Sequence, residues 1–335
     1  MLRFLLRSSL FMLALGVIAL AVGPLLVDPR PAPGASTAKT LATPESRFVD
    51  VPFSGTDGLA LHYLEQAASA GATMPAFVLL HGFTFNAFTW NRMLDSFAEW
   101  GRVIAYDQAP YGLSAKPLPG TWDGPNPYSK AAAQVQLFAL MDALDIEQAV
   151  LVGNSSGGTL ALEAALAAPE RIRALVLLGP WVHAKRPIFP DWFADLPQMH
   201  RLTLLLARYL GGDSPLLEYS YADPSGIDEQ RRMLTGIHRQ MANWDVAWAA
   251  LLNHSLTDPV EISAHLAQIT QPVLVVTGAL DQVVPPADSE TTAAELPNAS
   301  FVSLPGCGHV PQEECPLQVA AAVADWLRAL PPETR

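Results

Sequence analysis

The five residues Gly153–Gly157, with the sequence GNSSG, could present a nucleophile. They stand between an apolar, strand-like run at 148–152 and a helix-like run at 158–166, which is the context of a G-x-S-x-G nucleophile elbow. The turn is so tight that side chains two residues before and after the serine would collide, which explains the two glycines. An ordinary Gly/Ser turn would have the same pattern. We prefer Ser155 to Ser156 as the nucleophile, because asparagine rather than glycine stands two residues before Ser156.

A serine hydroxyl is a weak nucleophile and needs a base to remove its proton. Asp281 follows the strand-like run at 273–276, and His309 follows the next such run. The carboxyl ends of parallel strands meet in one ligand-binding crevice, so both side chains are expected near Ser155. In the chain order Ser…Asp…His, His309 would take the proton of Ser155 and return it to the leaving group, while Asp281 fixes and stabilises the imidazole. Taken singly, the aspartate could be a helix cap and the histidine an ordinary loop residue.

The negative charge that forms on the attacked oxygen needs backbone N–H donors that already point at it. One candidate is the N–H of Ser156, at the start of the helix after the elbow. The other is the N–H of Phe83, directly after His81 and Gly82 at the end of the third strand-like run. We expect His81 to hold this turn rather than to act as a second base. The predicted oxyanion hole therefore consists of the N–H groups of Phe83 and Ser156.

Eight strand-like runs alternate with helical patterns over most of the chain. They are residues 47–53, 59–64, 76–80, 102–106, 148–152, 174–178, 272–276 and 299–304. Continuous apolar runs suit strands buried on both faces of a parallel sheet, and the alternation implies helices on both faces. Residues 28–43, rich in Pro, Ala, Gly, Ser and Thr, are typical of a linker. We expect an α/β core of residues 44–180 and 259–335, with a helical lid, residues 181–258, inserted after strand six.

The N-terminal residues 1–27 include an uncharged run, Ser8–Val27, of about the length that crosses a bilayer as a helix. We prefer an uncleaved membrane anchor to a cleaved secretory signal or a buried helix, although Ala19-Leu20-Ala21 fits the small-x-small rule for cleavage. Arg3 and Arg7 precede the run, so the positive-inside rule puts the body of the protein on the outer, periplasmic or extracellular side of the cytoplasmic membrane. A cleaved signal would give a secreted protein instead.

The composition limits the partners of the chain. Half of the residues are apolar, so a sizeable core is expected, and the formal net charge of −12 disfavours nucleic acid as a partner. The sequence has no phosphate-binding loop, and its two cysteines make no metal-ligand cluster. Cys307 and Cys315 could pair in an oxidising compartment. We favour two buried free thiols, because spacing in the sequence does not establish the geometry that a bridge needs.

Together these motifs resemble the α/β-hydrolase fold family, from about Phe48 to Leu330. The matching segments are His81-Gly82-Phe83, Asp107–Ser114, Gly153–Gly157, Gly278–Asp281 and Gly308-His309. The resemblance implies a mostly parallel sheet of about eight strands with helices on both faces, a helical lid after strand six, a Ser-Asp-His triad and no cofactor. It is specific for the fold and the triad, and poorly specific for the substrate.

Some subfamilies resemble parts of the chain, with differences. Epoxide hydrolases and haloalkane dehalogenases resemble it around residues 81–83, but they carry aspartate at the elbow, where this chain has Ser155. Residues 152–158 resemble the elbow of carbon–carbon bond hydrolases that act on ring-cleavage products. Those relatives usually carry a tryptophan soon after the catalytic histidine, where this chain has residues 310–314, Val-Pro-Gln-Glu-Glu. Relatives also often carry an arginine where this chain has residues 108–110, Gln-Ala-Pro.

We therefore predict a serine hydrolase that cleaves carboxylic esters with an apolar acyl or alcohol part through an acyl-enzyme. Large apolar residues of the lid either line a site for an apolar acyl or alcohol group or only pack the lid on the sheet: Trp192, Phe193, Leu202, Leu204, Leu205, Leu206, Tyr209, Trp244 and Trp248. Alternatives with the same triad are carbon–carbon bond cleavage, lactone opening and acyl transfer. A non-catalytic binding protein is disfavoured, because all three triad residues are present. A body held near a membrane would also meet lipid-derived esters.

Overall fold

The centre of the fold is an eight-stranded sheet. The computed structural model describes residues 16, 19, 21–34, 36–183, 186–211 and 215–331. The strands are β1 Ser46–Val51, β2 Leu59–Gln66, β3 Ala76–Leu80, β4 Val103–Tyr106, β5 Ala149–Asn154, β6 Ile172–Leu178, β7 Val273–Gly278 and β8 Ala299–Leu304. Their spatial order is β1-β2-β4-β3-β5-β6-β7-β8; β2 runs antiparallel to both of its neighbours, and the pairs from β4 to β8 are parallel. The predicted mostly parallel eight-stranded sheet is confirmed.

Helices cover both faces of this sheet. The α-helices named below are, in chain order, α1 Ala38–Leu41, α2 Leu94–Ala98, α3 Lys130–Ala143, α4 Ser156–Ala167, α5 Asp191–Ala194, α6 Pro197–Leu210, α7 Pro215–Tyr219, α8 Glu229–Thr235, α9 Trp244–Ser255, α10 Pro286–Glu295, α11 Pro311–Glu314 and α12 Pro316–Ala329. Side chains alternate along a strand, so Val78 and Leu80 of β3 pack with α3 and α4, whereas Phe77 and Leu79 pack with α2 and α12. Burial on both faces explains why the strands are continuous apolar runs in the sequence.

A helical insertion, residues 181–258, separates β6 from β7. Its described residues form α5 to α9 and short 3-10 turns, with no strand among them. Helices α6 and α9 pack on each other, and Ala247 of α9 reaches the core that α3 and α4 share with the sheet. The predicted helical character of this segment is present. Its action as a lid stays a prediction.

The predicted N-terminal anchor falls mostly outside the described residues, because positions 1–15, 17, 18 and 20 are not among them. In the part of the chain that the structure describes, no helix combines the length and the apolar character needed to cross a bilayer. The anchor and the outer-side location of the body therefore stay predictions.

The segment predicted to be a linker, residues 28–43, lies against the helical insertion. The Ala32 N–H donates to Asp245 Oδ2 at 2.9 Å, and the Ser36 N–H donates to the carbonyl of Gln240 at 3.0 Å. The helix α1 within the segment packs against the core on the α2 and α12 side of the sheet. Composition indicated a segment without a core of its own, and the structure shows that other parts of the protein supply its contacts.

A buried carboxylate fixes the loop after β4. Asp107 Oδ2 lies 2.7 Å from His62 Nδ1 and accepts the N–H of Leu113, and Asp107 Oδ1 accepts the N–H of Ala87, both at 2.6 Å. Burial alone would raise the pKa of Asp107, but the charge and hydrogen bond of His62, together with these N–H donors, lower it to about 2. The carboxylate thus joins β2, β4 and the loop after β3 at the carboxyl edge of the sheet.

Replacing Asp107 with asparagine should lower the stability of the protein at neutral pH and weaken its acid sensitivity. The folded-state pKa lies below the ordinary value of 3.8, so the charged carboxylate stabilises the fold by about 2 kcal/mol above that pH, and this stabilisation is lost as the pH falls towards about 2. Urea unfolding of both proteins across this pH range measures the effect. Asp50→Asn, at an exposed position on β1, is the control. An identical pH dependence of Asp107→Asn and wild type would contradict this account.

Candidate active site

Ser155 lies in a strained turn between β5 and α4. Its φ of 54° and ψ of −119° are rare for a residue that has a side chain. The turn needs glycine on both sides, because a Cβ at Gly153 would lie 2.4 Å from the carbonyl oxygen of Gly157, and one at Gly157 would lie 2.2 Å from that of Leu80. The Ser155 N–H donates to the carbonyl of Leu178 on β6 at 3.0 Å. These contacts hold Ser155 at the carboxyl edge of the sheet and at the N-terminus of α4.

Asp281 and His309 form a buried pair on the loops after β7 and β8. Asp281 Oδ2 lies 2.8 Å from His309 Nδ1, while Asp281 Oδ1 accepts the N–H groups of Val283 and Val284 at 2.8 and 2.9 Å. The two backbone donors orient the carboxylate and leave its second oxygen to the imidazole. A proton on Nδ1 satisfies this contact, so Nε2 of His309 is the nitrogen that can act as a base.

Ser155 and His309 lie in the same part of the molecule, because the residue before Ser155 contacts the backbone of His309. The side chain of Asn154 donates to the carbonyls of both His309 and Leu178, at 2.9 and 3.0 Å. A Cβ at Gly179, the residue after β6, would lie 3.3 Å from His309 Nδ1. Among the described residues no hydrogen bond joins Ser155 Oγ to His309 Nε2. Such bonds are often long in an enzyme without substrate and shorten in the reacting complex.

The two predicted oxyanion donors lie next to Ser155. A Cβ at Gly82 would lie 3.0 Å from the Cβ of Ser155, and Phe83 follows Gly82 directly. Ser156 is the first residue of α4. Within the described ranges, neither the Phe83 N–H nor the Ser156 N–H donates a hydrogen bond. Two N–H groups without acceptors beside the serine, one of them at a helix N-terminus, suit the charge of an oxyanion.

His81 holds the loop that carries Phe83. Its Nδ1 lies 2.9 Å from the carbonyl oxygen of Gly82, and its Nε2 accepts the N–H of Gln108 at 3.1 Å. The side chain of Gln108 donates back to the carbonyl of His81 at 3.0 Å. Burial lowers the pKa of His81, which keeps the imidazole neutral. Gln108, at a place where relatives often carry arginine, therefore supports the loop after β3.

A disulfide between Cys307 and Cys315 closes the loop that carries His309. The expectation of two free thiols is wrong. The loop turns back on itself through α11, so the two Cα atoms lie 6.1 Å apart, within the distance that a disulfide spans. A cross-link of this kind limits the conformations open to the residues between the cysteines. It therefore confines the loop on both sides of His309.

Two consecutive carboxylates of the same loop bind the helical insertion. Glu313 is fully buried, accepts hydrogen bonds from Thr89 Oγ1 (2.6 Å) and from the hydroxyl of Tyr221, and pairs with Arg231 at 3.1 Å. Burial raises the pKa of Glu313, and the charge of Arg231 opposes that shift. Glu314 accepts backbone N–H groups from both the His309 loop and the insertion. These contacts could not be predicted from the sequence, because the partners are distant in the chain.

A second chain of serine, histidine and aspartate occurs at the β1 edge. Ser46 Oγ lies 2.8 Å from His62 Nε2, and His62 Nδ1 contacts Asp107. Ser46 is the first residue of an ordinary strand, and its oxygen also accepts the N–H of Thr43 at 3.1 Å. Side-chain distances alone therefore do not identify a nucleophile. The strained backbone and the neighbouring N–H groups distinguish Ser155.

Of the large apolar residues predicted for the lid, Phe193 is half-buried and stacks on Phe189, and the others fall into two groups. Trp244, Trp248 and Leu204 are buried together with Tyr111, and the half-buried Phe83 packs against them, with its ring centroid 6.2 Å from that of Trp248. The second group is exposed: Trp192, Leu202, Leu205, Leu206 and Tyr209. A further apolar set is buried together and includes Val310, the residue after His309: Phe85, Leu217, Tyr221, Ile227 and Val310. We call this last set the apolar wall.

A cavity of about 660 Å³ lies between the helical insertion and the loop before α3. Its lining includes Trp122, Asn126, Leu204 and Asn253, and does not include the three predicted triad residues. Within the described residues, no group of three or more His, Cys, Asp or Glu side chains is placed to hold a metal ion.

Comparison with known proteins agrees with the fold. A family model described as the alpha/beta hydrolase family matches residues 77–322, from β3 to α12. The chain belongs to the alpha/beta hydrolase family. It is an enzyme, and its reaction is a hydrolysis.

Relatives within this family act on different bonds. YugF of Bacillus subtilis, an uncharacterised hydrolase, is 28% identical over 277 residues, which cover 81% of this chain and 96% of YugF. A 2-hydroxymuconate semialdehyde hydrolase of Pseudomonas putida is 31% identical over 287 residues, covering 82% and 95% of the two chains. A solved esterase from Thermogutta terrifontis has a TM-score of 0.62 at 23% identity, over 84% of this chain and 98% of the esterase. Family membership therefore gives the class of enzyme and leaves the substrate open.

Gly157→Ala should destabilise the protein and weaken any activity that depends on the elbow. The added Cβ would lie 2.2 Å from a backbone oxygen of β3, which cannot move without distorting the sheet, so we expect a loss of about 2 kcal/mol in the free energy of unfolding. Thermal unfolding measures the change. Gly226→Ala is the matched control, because nothing lies within 4 Å of a Cβ at that position. If both variants unfold at the same temperature, the close approach of Gly157 to the carbonyl oxygen of Leu80 does not constrain the fold.

Proposed function

We propose that this alpha/beta hydrolase cleaves carboxylic esters, with Ser155 as the nucleophile, His309 as the general base and acid, and Asp281 as the residue that orients His309. One observation supports the proposal above all others. The strained Ser155 lies in the same corner as a buried carboxylate–imidazole pair whose contact is 2.8 Å long. A nucleophile beside a base that is itself held by a third group is the arrangement that covalent catalysis by serine requires.

In this mechanism His309 Nε2 takes the proton of Ser155 Oγ while the oxygen attacks the carbonyl carbon of the ester. The N–H groups of Phe83 and Ser156 stabilise the negative charge on the carbonyl oxygen. His309 then gives its proton to the leaving alcohol, the ester C–O bond breaks, and the acyl group remains on Ser155. A water molecule then gives a proton to His309 and attacks the acyl carbon, and His309 returns that proton to Ser155 Oγ as the bond between Oγ and the acyl carbon breaks and the acid leaves. Asp281 stabilises the imidazolium in both halves of the reaction.

The apolar wall supports a substrate with an apolar acyl or alcohol group. The helical insertion supplies Leu217, Tyr221 and Ile227 to this wall, and the core supplies Phe85 and Val310, so the insertion packs beside the residue that follows His309. We propose on this basis that the insertion acts as a lid and that burial of apolar surface contributes to substrate affinity. A membrane anchor formed by residues 1–27, proposed from the sequence, would hold the enzyme near lipid-derived esters.

A carbon–carbon bond hydrolase with the same triad is the second candidate. The Pseudomonas putida relative, 31% identical over most of its length, is named for a 2-hydroxymuconate semialdehyde substrate, and residues 152–158 resemble the elbow of such enzymes. Val310 stands where those enzymes carry a tryptophan, which favours the ester proposal.

Ser155→Ala should abolish labelling by a fluorophosphonate probe and lower kcat/KM for a nitrophenyl ester by about a thousandfold or more, because it removes the atom that forms the acyl-enzyme. Mass spectrometry of the labelled peptide and steady-state kinetics measure the two effects. Ser46→Ala is the matched control, since Ser46 also contacts a histidine that meets an aspartate. Labelling that survives in folded Ser155→Ala, or that disappears in folded Ser46→Ala, would refute the assignment of the nucleophile.

A substrate panel separates the two candidate reactions. We expect turnover of nitrophenyl esters from acetate to laurate, with kcat/KM rising along the series as more apolar acyl surface is removed from water. A vinylogous diketone acid should not be cleaved. The measurement uses wild type with Ser155→Ala as the blank. Turnover of the diketone acid without turnover of any ester would reverse the ranking.

A further inference from the structure

Exposed apolar side chains are concentrated in two stretches of the chain whose helical elements contact each other. Of fourteen exposed large apolar residues among the described positions, nine fall in the ranges 22–26 and 188–209. They are Val22, Leu25, Leu26, Ile188, Trp192, Leu202, Leu205, Leu206 and Tyr209. Soluble monomers rarely expose large groups of apolar side chains together, so a concentration of this kind marks a contact surface.

Helix α6 supplies the centre of this region. Leu202, Leu205, Leu206 and Tyr209 follow the spacing of one helical face and are 45%, 51%, 41% and 58% exposed. The opposite side of the helix is buried against α9. We call these four side chains the α6 face. A helix that is apolar on both its inner and its outer side needs a second apolar environment.

The long uncharged run of the N-terminus ends beside the α6 face. Gln198 Nε2 donates to the carbonyl of Ala21 at 3.1 Å, and Arg201 donates to the carbonyl of Val27 at 3.0 Å. Between these contacts, the 3-10 turn Gly23–Leu26 packs on α6 without burying any of its own residues. Two apolar elements that are far apart in the sequence thus emerge on the same side of the molecule.

A lipid bilayer fits both elements. The run from Ser8 to Val27 is about twenty residues long and needs an apolar environment along its whole length. If it folded over the α6 face, it would cover that face but leave its own outer side in water. Helix α6 contains no Asp or Glu, in a chain that has 32 of them, so no carboxylate on the helix repels lipid phosphates. Trp192 and Tyr209 combine an apolar ring with a polar tip, which suits the bilayer interface.

We propose that the α6 face, with Trp192 and the turn Gly23–Leu26, docks on the surface of a lipid bilayer and places its apolar side chains at the boundary between headgroups and acyl chains. The helical insertion that contributes to the apolar wall is then held at the lipid surface, within reach of esters dissolved in the bilayer. This access to lipid esters rests on the proposed ester hydrolysis. The docking on the bilayer does not depend on that proposal.

The test uses the full-length protein in vesicles of phosphatidylcholine and phosphatidylglycerol, with an environment-sensitive fluorophore on Leu205→Cys. Both native cysteines are in the disulfide, so only the new thiol reacts. Leu317→Cys, on α12 and 83% exposed, is the matched control. Lipids that carry a nitroxide near the headgroup should quench the probe at position 205 several-fold more than the probe at 317. Aqueous iodide should show the reverse order.

Equal quenching of the two probes by the nitroxide lipids would overturn the proposal. A probe at 205 that is shielded from iodide but not quenched by the lipids would also overturn it, because protein would then cover the face. In that case, dependence on the protein-to-lipid ratio would identify a second copy of the chain, and independence would identify the N-terminal residues. The readout needs no turnover, so its failure is separate from a failure of ester hydrolysis.

Discussion

The close approach of α4 to the end of β3 is the contact on which the candidate site depends. Gly157 has no side chain, which lets the first turn of α4 lie against the carbonyl of Leu80, and Gly82 lies against Ser155 for the same reason. The strained backbone of Ser155 persists because β5 is paired on both sides, with β3 and β6, and buried on both faces. One set of backbone contacts therefore places the proposed nucleophile and brings both proposed oxyanion donors beside it.

The position of His309, the proposed general base, depends on tertiary contacts. The loop that carries His309 is closed by a disulfide, and Glu313 and Glu314 attach it to the helical insertion and to Thr89. A buried carboxylate costs desolvation energy unless it is paired, and Arg231 and Tyr221, both from the insertion, supply that pairing for Glu313. The insertion therefore contributes to the position of the imidazole as well as to the apolar wall. A movement of the residues around Arg231 would therefore shift the loop that carries His309.

The sequence allowed the sheet, the elbow and the acid–base pair to be predicted because each has a local signature. A strand buried on both faces is a continuous apolar run, and a nucleophile elbow needs glycine at fixed offsets from the serine. Asp281 and His309 were expected near each other because both follow such runs; they lie 2.8 Å apart, and their roles stay predictions. The bridge between Cys307 and Cys315 was predicted wrongly, because it depends on how α11 turns the loop. The network of Glu313 and the attachment of residues 28–43 were not predicted, since their partners are brought together only by the folded chain.

The attachment of the N-terminal segment has a consequence for processing of the protein. Arg208 donates to the carbonyls of Asp28 and Arg30 and pairs with Asp245, which also holds Ala32. These contacts all lie downstream of the Ala19-Leu20-Ala21 sequence. A signal peptidase that cut there would release the leader, and residues 28–32 would remain bound to α6 and α9. The mature domain would keep the same fold whether the leader is retained or removed, and processing would change only how the enzyme is tethered.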